Sequence, residues 1–393
     1  MRRSPRTKRN FNSQKLQGKA SRKGFVLLYL PAVIFIMGIF SVVHGQFPET
    51  PSLRNDSTVS AMYVLGDSSV DCGDNTLFYY LLHRNLSLHP CNGSDASATL
   101  IPNLLAKKMG LPFSRPFYSL NGSTGELLSG VNFGSAQATI MNPDSQSLQS
   151  LTQQLRQVSE TVELLKLNYS ENTACQIIKS SIFYLSFGEN DYIDFFLHNT
   201  YGLRLKHSSQ EFANILVNQM IYAIRNLYDA NARKIICSGI PPLGCTPRIV
   251  WEQTNISSGV ENGLGCVEKI NELVLEYNSM LDKHIVKLNK ELPDSQLVFC
   301  DVYKGMMEII TKPKHYGFKD VKSACCGLGL NGAVIGCISM DIACDQASTH
   351  VWWDFYNPSQ AVNSLLADAA WSGHPFSGIC RPITVHKLFS NKV

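Results

Sequence analysis

Charge is scarce in this chain: only 17% of its 393 residues are Asp, Glu, Lys or Arg. No two cysteines stand in a CxxC spacing, no phosphate-binding glycine loop occurs, and no segment repeats. Without a CxxC pair a zinc site is poorly served. Without a glycine loop or dinucleotide fingerprint no nucleotide cofactor is expected, and no nucleic-acid module is present. The formal net charge is +4, but nine of the 35 basic residues lie in the first 24, where no acid occurs. From Gln46 onward 26 basic residues face 31 acidic ones, so the body of the protein is mildly acidic. What is plentiful is apolar. With 44% hydrophobic and 10% aromatic residues, the chain builds a sizeable core and is not disordered.

Phe25 to Val43 is an unbroken apolar run behind the basic block, followed by small and polar residues at Ser41–Gly45. That is the pattern of a secretory signal, and its 19 residues overlap the length of a spanning helix. Two readings follow for residues 1–45. In one, cleavage near Gly45 releases a secreted protein; in the other, the segment stays as a type II anchor with its basic side cytoplasmic. Pro31 and the polar stretch after Val43 favour cleavage. A membrane is expected as partner only if the segment is retained. All 12 cysteines follow the run, at 72, 91, 175, 237, 245, 266, 300, 325, 326, 337, 344 and 380. An even count in an exported chain reads as a disulfide set of open connectivity. Six N-x-S/T sequons, at Asn55, Asn85, Asn92, Asn121, Asn168 and Asn255, predict a glycosylated surface.

Residues 46–60 read as a polar lead-in, and 61–393 as one domain. Strand-length apolar runs at 61–66, 131–135, 180–188, 233–240 and 296–302 alternate with helical periodicity at 146–167, 208–230 and 265–291. Ser208 and Glu211 make a capping-box signature. The alternation predicts an α/β fold with a mostly parallel sheet, whose ligand site lies at the carboxyl ends of the strands. The first run ends in Gly66-Asp67-Ser68, where a serine can stand exposed at the sheet edge. The third ends in Gly188-Glu189-Asn190-Asp191, where Asn190 is suited to donate to an oxyanion. The ordinary alternatives are a Gly-Asp turn and an Asx-turn. Asp67, Asp71 and Asp191 read as braces for turns; no ligand loop accompanies them, so no metal is expected.

Taken together these residues resemble the plant GDSL esterase/lipases of the SGNH hydrolase superfamily. The family's first block matches Leu65 to Asn75 with the leading Phe changed, and its second matches Gly130 to Ser135. Gly188 to Asp191, Pro241 to Cys245 and Ala324 to Gly327 follow in family order, and the closing block falls on Trp353 to Pro358. The resemblance implies a flavodoxin-like three-layer sandwich on a five-stranded sheet, and hydrolysis of carboxylic esters with Ser68 as nucleophile. It implies an oxyanion hole built from the Ser68 N–H, a second-block N–H and Asn190. The family's second-block glycine falls on Thr139, with Gly134 as a substitute donor. Asp354 takes the aspartate position of the triad, and Asn357 stands where the family has histidine.

That last departure is the one with chemical weight. A serine hydroxyl attacks poorly until a base takes its proton, and the leaving alkoxide needs that proton back. An amide does neither. In subtilisin, loss of the histidine costs about 10⁶ in kcat, while about 10³–10⁴ over water survives from the rest of the site. His350, four residues before Asp354, and His374 are the candidate replacement bases, although a lone histidine near aromatics is more often structural. His83, His89, His198, His207, His284 and His315 have no motif context. The Trp352-Trp353 pair reads as packing. Two functions stay open: an ester hydrolase weakened at its base, or an inactive secreted glycoprotein holding an acyl or glycosyl ligand in the same cleft.

Overall fold

The computed structural model describes residues 59–71, 99–136, 138–141, 150–199, 202, 206–256 and 265–391. The apolar N-terminal segment, Cys72, Cys91, His83, His89 and the sequons at Asn55, Asn85 and Asn92 lie outside the described residues. Nine strands are described: β1 (Met62–Gly66), β2 (Arg115–Pro116), β3 (Val131–Asn132), β4 (Ile182–Ser186), β5 (Lys234–Ser238), β6 (Gln296–Cys300), β7 (Asp320–Ala324), β8 (His350–Trp352) and β9 (Cys380–Arg381). Seven of them form one sheet in the order β2-β3-β1-β4-β5-β6-β9, and β7 pairs with β8 in a separate ribbon. Every pairing of the large sheet is parallel except β6 with β9.

The five expected strands are all present. Two short strands at the edges bring the sheet to seven, where five were expected. With two residues each and a proline in or beside them, β2 and β9 carry no periodicity to read. β9 is tied to β6 by the Cys300–Cys380 disulfide. Counted without the edges, the order β3-β1-β4-β5-β6 is the doubly wound, flavodoxin-like arrangement, in which the chain reverses direction of travel between β1 and β4.

Both faces of this sheet are covered, which is why its strands are apolar throughout rather than alternating. Tyr63, Leu65, Phe183, Leu185, Ile235, Leu297 and Phe299 join one core. It packs α2 (Leu151–Asn168), α3 (Glu171–Ser180), α4 (Ser209–Asp229) and α5 (Glu268–Glu291) once α1 (Ile101–Lys108) has crossed to the other face. Met62, Val64, Ile182, Tyr184, Ile236 and Val298 face that second core. It is completed by α6 (Val302–Thr311), α7 (Gln360–Ser372) and α8 (Val385–Ser390). The period-2 alternation of side chains along each strand sorts neighbouring residues into opposite layers. The capping box forms as its sequence implied: Ser208 Oγ accepts from the Glu211 N–H at 3.2 Å, and Glu211 accepts from the Ser208 N–H at 2.8 Å.

Four disulfides are present among the described residues: Cys245–Cys266, Cys300–Cys380, Cys325–Cys344 and Cys326–Cys337. The even cysteine count does not mean complete pairing. Cys175 and Cys237 are free thiols, and Cys237 is buried inside β5, where burial pushes its thiol up to about 12. Asn121 and Asn168 are exposed, as glycosylation would need. Among the described residues no helix is long and apolar enough to cross a membrane.

Candidate active site

The register of the sheet brings the site together. Gly66 at the end of β1 lies level with Ser186 at the end of β4, so the two following turns leave the sheet side by side. Gln154 of α2 holds the first of them. Its amide nitrogen donates to the Gly66 carbonyl at 2.8 Å and its carbonyl accepts from the Gly66 N–H at 2.9 Å. Asn278 of α5 makes the same two-way clamp on Ile240 beyond β5. Where ladder bonding stops, buried helix amides take over, as buried backbone groups require.

Asp67 braces the first turn against the second. Its Oδ1 accepts from the Ser69 N–H and hydroxyl at 3.1 and 2.8 Å, and its Oδ2 accepts from the Glu189 N–H at 3.1 Å. Burial pushes its carboxyl up to about 6, against the pull of those bonds. Asp191 accepts from the Ile140 and Met141 N–H groups at 2.8 Å each, and burial still pushes it up to about 7. Asp71 accepts from the Ala136 N–H. All three aspartates brace turns.

Ser68 stands half-buried between these turns, and its hydroxyl donates to Asn190 Oδ1 at 3.2 Å. Asn190 faces it with the opposite end from the one expected of an oxyanion donor. Both amide hydrogens go to backbone carbonyls, Ala136 at 3.0 Å and Ala138 at 2.9 Å. Reversing the amide would set its oxygen against two carbonyl oxygens, so the second-block loop itself fixes the orientation. Gly134 likewise gives its N–H to Asn132 Oδ1 at 2.9 Å, which holds it in its own turn. Thr139 is buried, with its hydroxyl on the Met141 carbonyl and its own carbonyl accepting from Leu151.

The closing segment supplies Asp354 and Asn357, both buried. Asn357 Nδ2 donates to both carboxylate oxygens, at 3.0 and 3.1 Å, and the Asn357 and Tyr356 backbone N–H groups add bonds to Oδ1. The Asp354 carboxylate is thus wrapped by an amide. Neither replacement base is placed against it. His350 sits on β8, with its ring nitrogens facing the Gln346 carbonyl and Asp320; His374 follows α7, its backbone N–H donating to Ser372 Oγ. Trp352 and Trp353 are buried as packing, the first donating to the Val321 carbonyl.

Glu189 is the residue that sequence reasoning passed over. Gly188 before it has φ +111, a backbone conformation that favours glycine. It is buried in the wall of a cavity of about 30 Å³ that Ser69, Ser186, Ser238 and Asn357 also line. Burial first, then the charges of Asp67 and Asp354, hold its carboxyl well above the usual carboxylate range. The available signal was an acid three residues beyond an apolar strand.

Residues 62–370 match the family of GDSL-like lipases and acylhydrolases. The chain belongs to that family. Among its GDSL-family relatives, one GDSL esterase/lipase of Arabidopsis thaliana is 29% identical over 388 residues, covering 96% of this chain and 99% of the relative. Another from the same plant is 31% identical over 326 residues, covering 79% of this chain and 90% of its own. Among solved structures, an extracellular lipase of Streptomyces rimosus shares 14% identity across 78% of this chain and 95% of that one, with a TM-score of 0.33. Family membership accordingly supports acyl ester hydrolysis as the function class of this GDSL chain.

Proposed function

We propose that the chain is an exported carboxylic ester hydrolase in which Ser68 attacks the acyl carbon and turnover is held low by Asn357. The observation that carries this reading is the meeting of Ser68 and Asn190, 3.2 Å apart, where the parallel strands β1 and β4 release their chains. That is where an open α/β sheet binds its ligands. Export is supported by the disulfides, which persist in oxidising compartments. The substrate class is an acyl ester, and Thr139 holds the family's second-block donor position.

A second reading is favoured by one observation. Asn357 and Asp354 satisfy each other with no proton to give or take, so the cleft suits retention of an acyl or glycosyl ligand as well as its cleavage. Labelling with a fluorophosphonate separates the two. A reactive nucleophile gives labelled protein that disappears in Ser68→Ala. Absence of label on the folded protein, beside a labelled active relative, leaves the binding role. Asn357→His is expected to raise p-nitrophenyl butyrate hydrolysis by about 10²-fold or more, the usual worth of a positioned base. If the variant folds and shows no gain, the missing base is not what limits the site.

A further inference from the structure

Two pairs of neighbours meet at the strand ends. Ser68 and Asn190 join through their hydrogen bond, and the residues beside them in the chain, Ser69 and Glu189, line the cavity together with Asn357. The cavity therefore begins one residue from the nucleophile and ends on the position of the missing imidazole. Glu189 Oε1 is buried there without a hydrogen-bond partner in the protein. A buried carboxyl oxygen is costly to leave unmet, and the carboxyl that carries it belongs to the cavity wall. At about 30 Å³ the space exceeds the ~10–15 Å³ that a water needs. The hydroxyls of Ser69, Ser186 and Ser238 offer such a water further partners.

We propose that Glu189 carries the proton in this site in place of the imidazole, through water held in the cavity between it and Asn357. The inference rests on Ser68 being the nucleophile. In the first half-reaction Ser68 Oγ bonds to the acyl carbon and its proton passes to the cavity water, which hands a proton on to the Glu189 carboxylate. As the bond from the acyl carbon to the alcohol oxygen breaks, the Glu189 carboxyl returns that proton by the same water to the leaving alkoxide. In the second half a hydrolytic water attacks the acyl carbon and gives up its proton to Glu189. That proton finally restores the Ser68 hydroxyl as the acyl–enzyme bond breaks. Asn357 lines the same cavity with its amide hydrogens committed to Asp354.

The groups facing Glu189 are acids. Asp67 comes from the turn after β1 and Asp354 from the closing segment; Tyr356 also senses its charge, and Tyr184 of β4 lines the same cavity. With such neighbours Glu189 gives up its proton only above the ordinary carboxylate range, so its base form grows as pH rises. The test measures phosphonylation of Ser68 by a fluorophosphonate and hydrolysis of p-nitrophenyl acetate from pH 5 to 9, with Ser68→Ala as blank. Wild type is expected to speed up with pH through one ionisation in both assays. Glu189→Gln should lose about 10²-fold or more at the alkaline end and flatten the profile. Glu189→Asp, which keeps the carboxyl and retracts it, should keep a sloped profile at a reduced rate. A Glu189→Gln protein with the wild-type profile, whatever its rate, overturns the role of Glu189 and leaves Ser68 standing. A wild type whose Ser68 never reacts overturns the hydrolase reading, and this one with it. Should Glu189→Gln fail to fold, Glu189→Asp decides: an unchanged rate and profile overturns the proposal.

Discussion

Raising the pH from 5 to 8 is expected to lower the melting temperature, because the fold holds protons that the unfolded chain releases. Burial pushes Asp67 up to about 6 and Asp191 up to about 7. In the unfolded chain both return to about 3.9. A carboxyl raised in this way binds more protons in the native state, so its contribution to stability is present at acidic pH. It fades as pH climbs towards the folded value, at about 1.4 kcal/mol per pH unit for each proton. From pH 5 to 8, Asp67 loses about 1.4 kcal/mol and Asp191 about 2.7 kcal/mol, roughly 4 kcal/mol together. Glu189, held higher, acts in the same direction. The exposed carboxyls that their bonds lower, Glu211, Glu291 and Glu308, act oppositely, but only as pH falls below the ordinary carboxylate value of about 4.3. At about 2 cal/mol/K per residue over about 330 residues, 4 kcal/mol is a Tm change of roughly 6 °C. Differential scanning calorimetry at constant ionic strength reads it directly. A Tm that is level or higher at pH 8 would refute the reasoning. Asp191→Asn apportions it: the variant should melt lower at pH 5, having lost one of the two carboxylate oxygens that accept backbone N–H groups, yet show a shallower slope than the wild type by about the Asp191 share.

Two further outcomes follow from geometry. Gly130 has φ +91, and a methyl group there would lie 2.1 Å from the Met62 carbonyl oxygen of β1, so Gly130→Ala should cost about 3 kcal/mol or more in urea unfolding. Gly110→Ala, at φ +67 with open space around it, should cost only about 1 kcal/mol; equal losses would contradict the packing argument. The Cys300–Cys380 bridge spans 80 residues and Cys326–Cys337 spans 11. Loop-closure entropy then makes Cys300→Ser/Cys380→Ser the costlier double variant, at about 4 kcal/mol against about 3 kcal/mol. The reverse order in denaturant titrations would show that strain or residual structure outweighs chain entropy.

Much of the framework was legible because it rests on local signals. β4 reads from Ile182-Phe183-Tyr184-Leu185, four β-branched, aromatic or aliphatic residues between serines, and α4 from its capping box. The motif blocks singled out Ser68 and Asn190, which lie 3.2 Å apart, and Asp354 and Asn357, which are hydrogen-bonded to each other. What stayed hidden depends on contacts between distant segments. The orientation of Asn190 is decided by two carbonyls some fifty residues earlier, at Ala136 and Ala138. Gln154 and Asn278 read as ordinary polar positions on long helices, yet each holds the backbone of a turn. Glu189 was in plain view, but its meaning lies in what faces it: Asp67 and Asp354 come from opposite ends of the domain and carry the same sign of charge. Pairing of cysteines is equally non-local, and Cys237 shows that a thiol inside a strand is a core residue first.

The amide wrapped around Asp354 also bears on how far this site stands from one with an imidazole. Asn357 keeps the turn by placing a side-chain N–H and its backbone N–H on the same carboxylate, and a histidine ring N–H reaches for that acceptor in the same sense. The closing segment is meanwhile held from outside: the Cys326 N–H donates to Trp353, and the Trp353 N–H donates to Asn357. Shape and chemistry are thus separable at this position. The codons for asparagine and histidine differ in their first base alone. A single nucleotide separates a lineage carrying the amide form of this loop from one carrying an imidazole there, with no rebuilding of the scaffold in between.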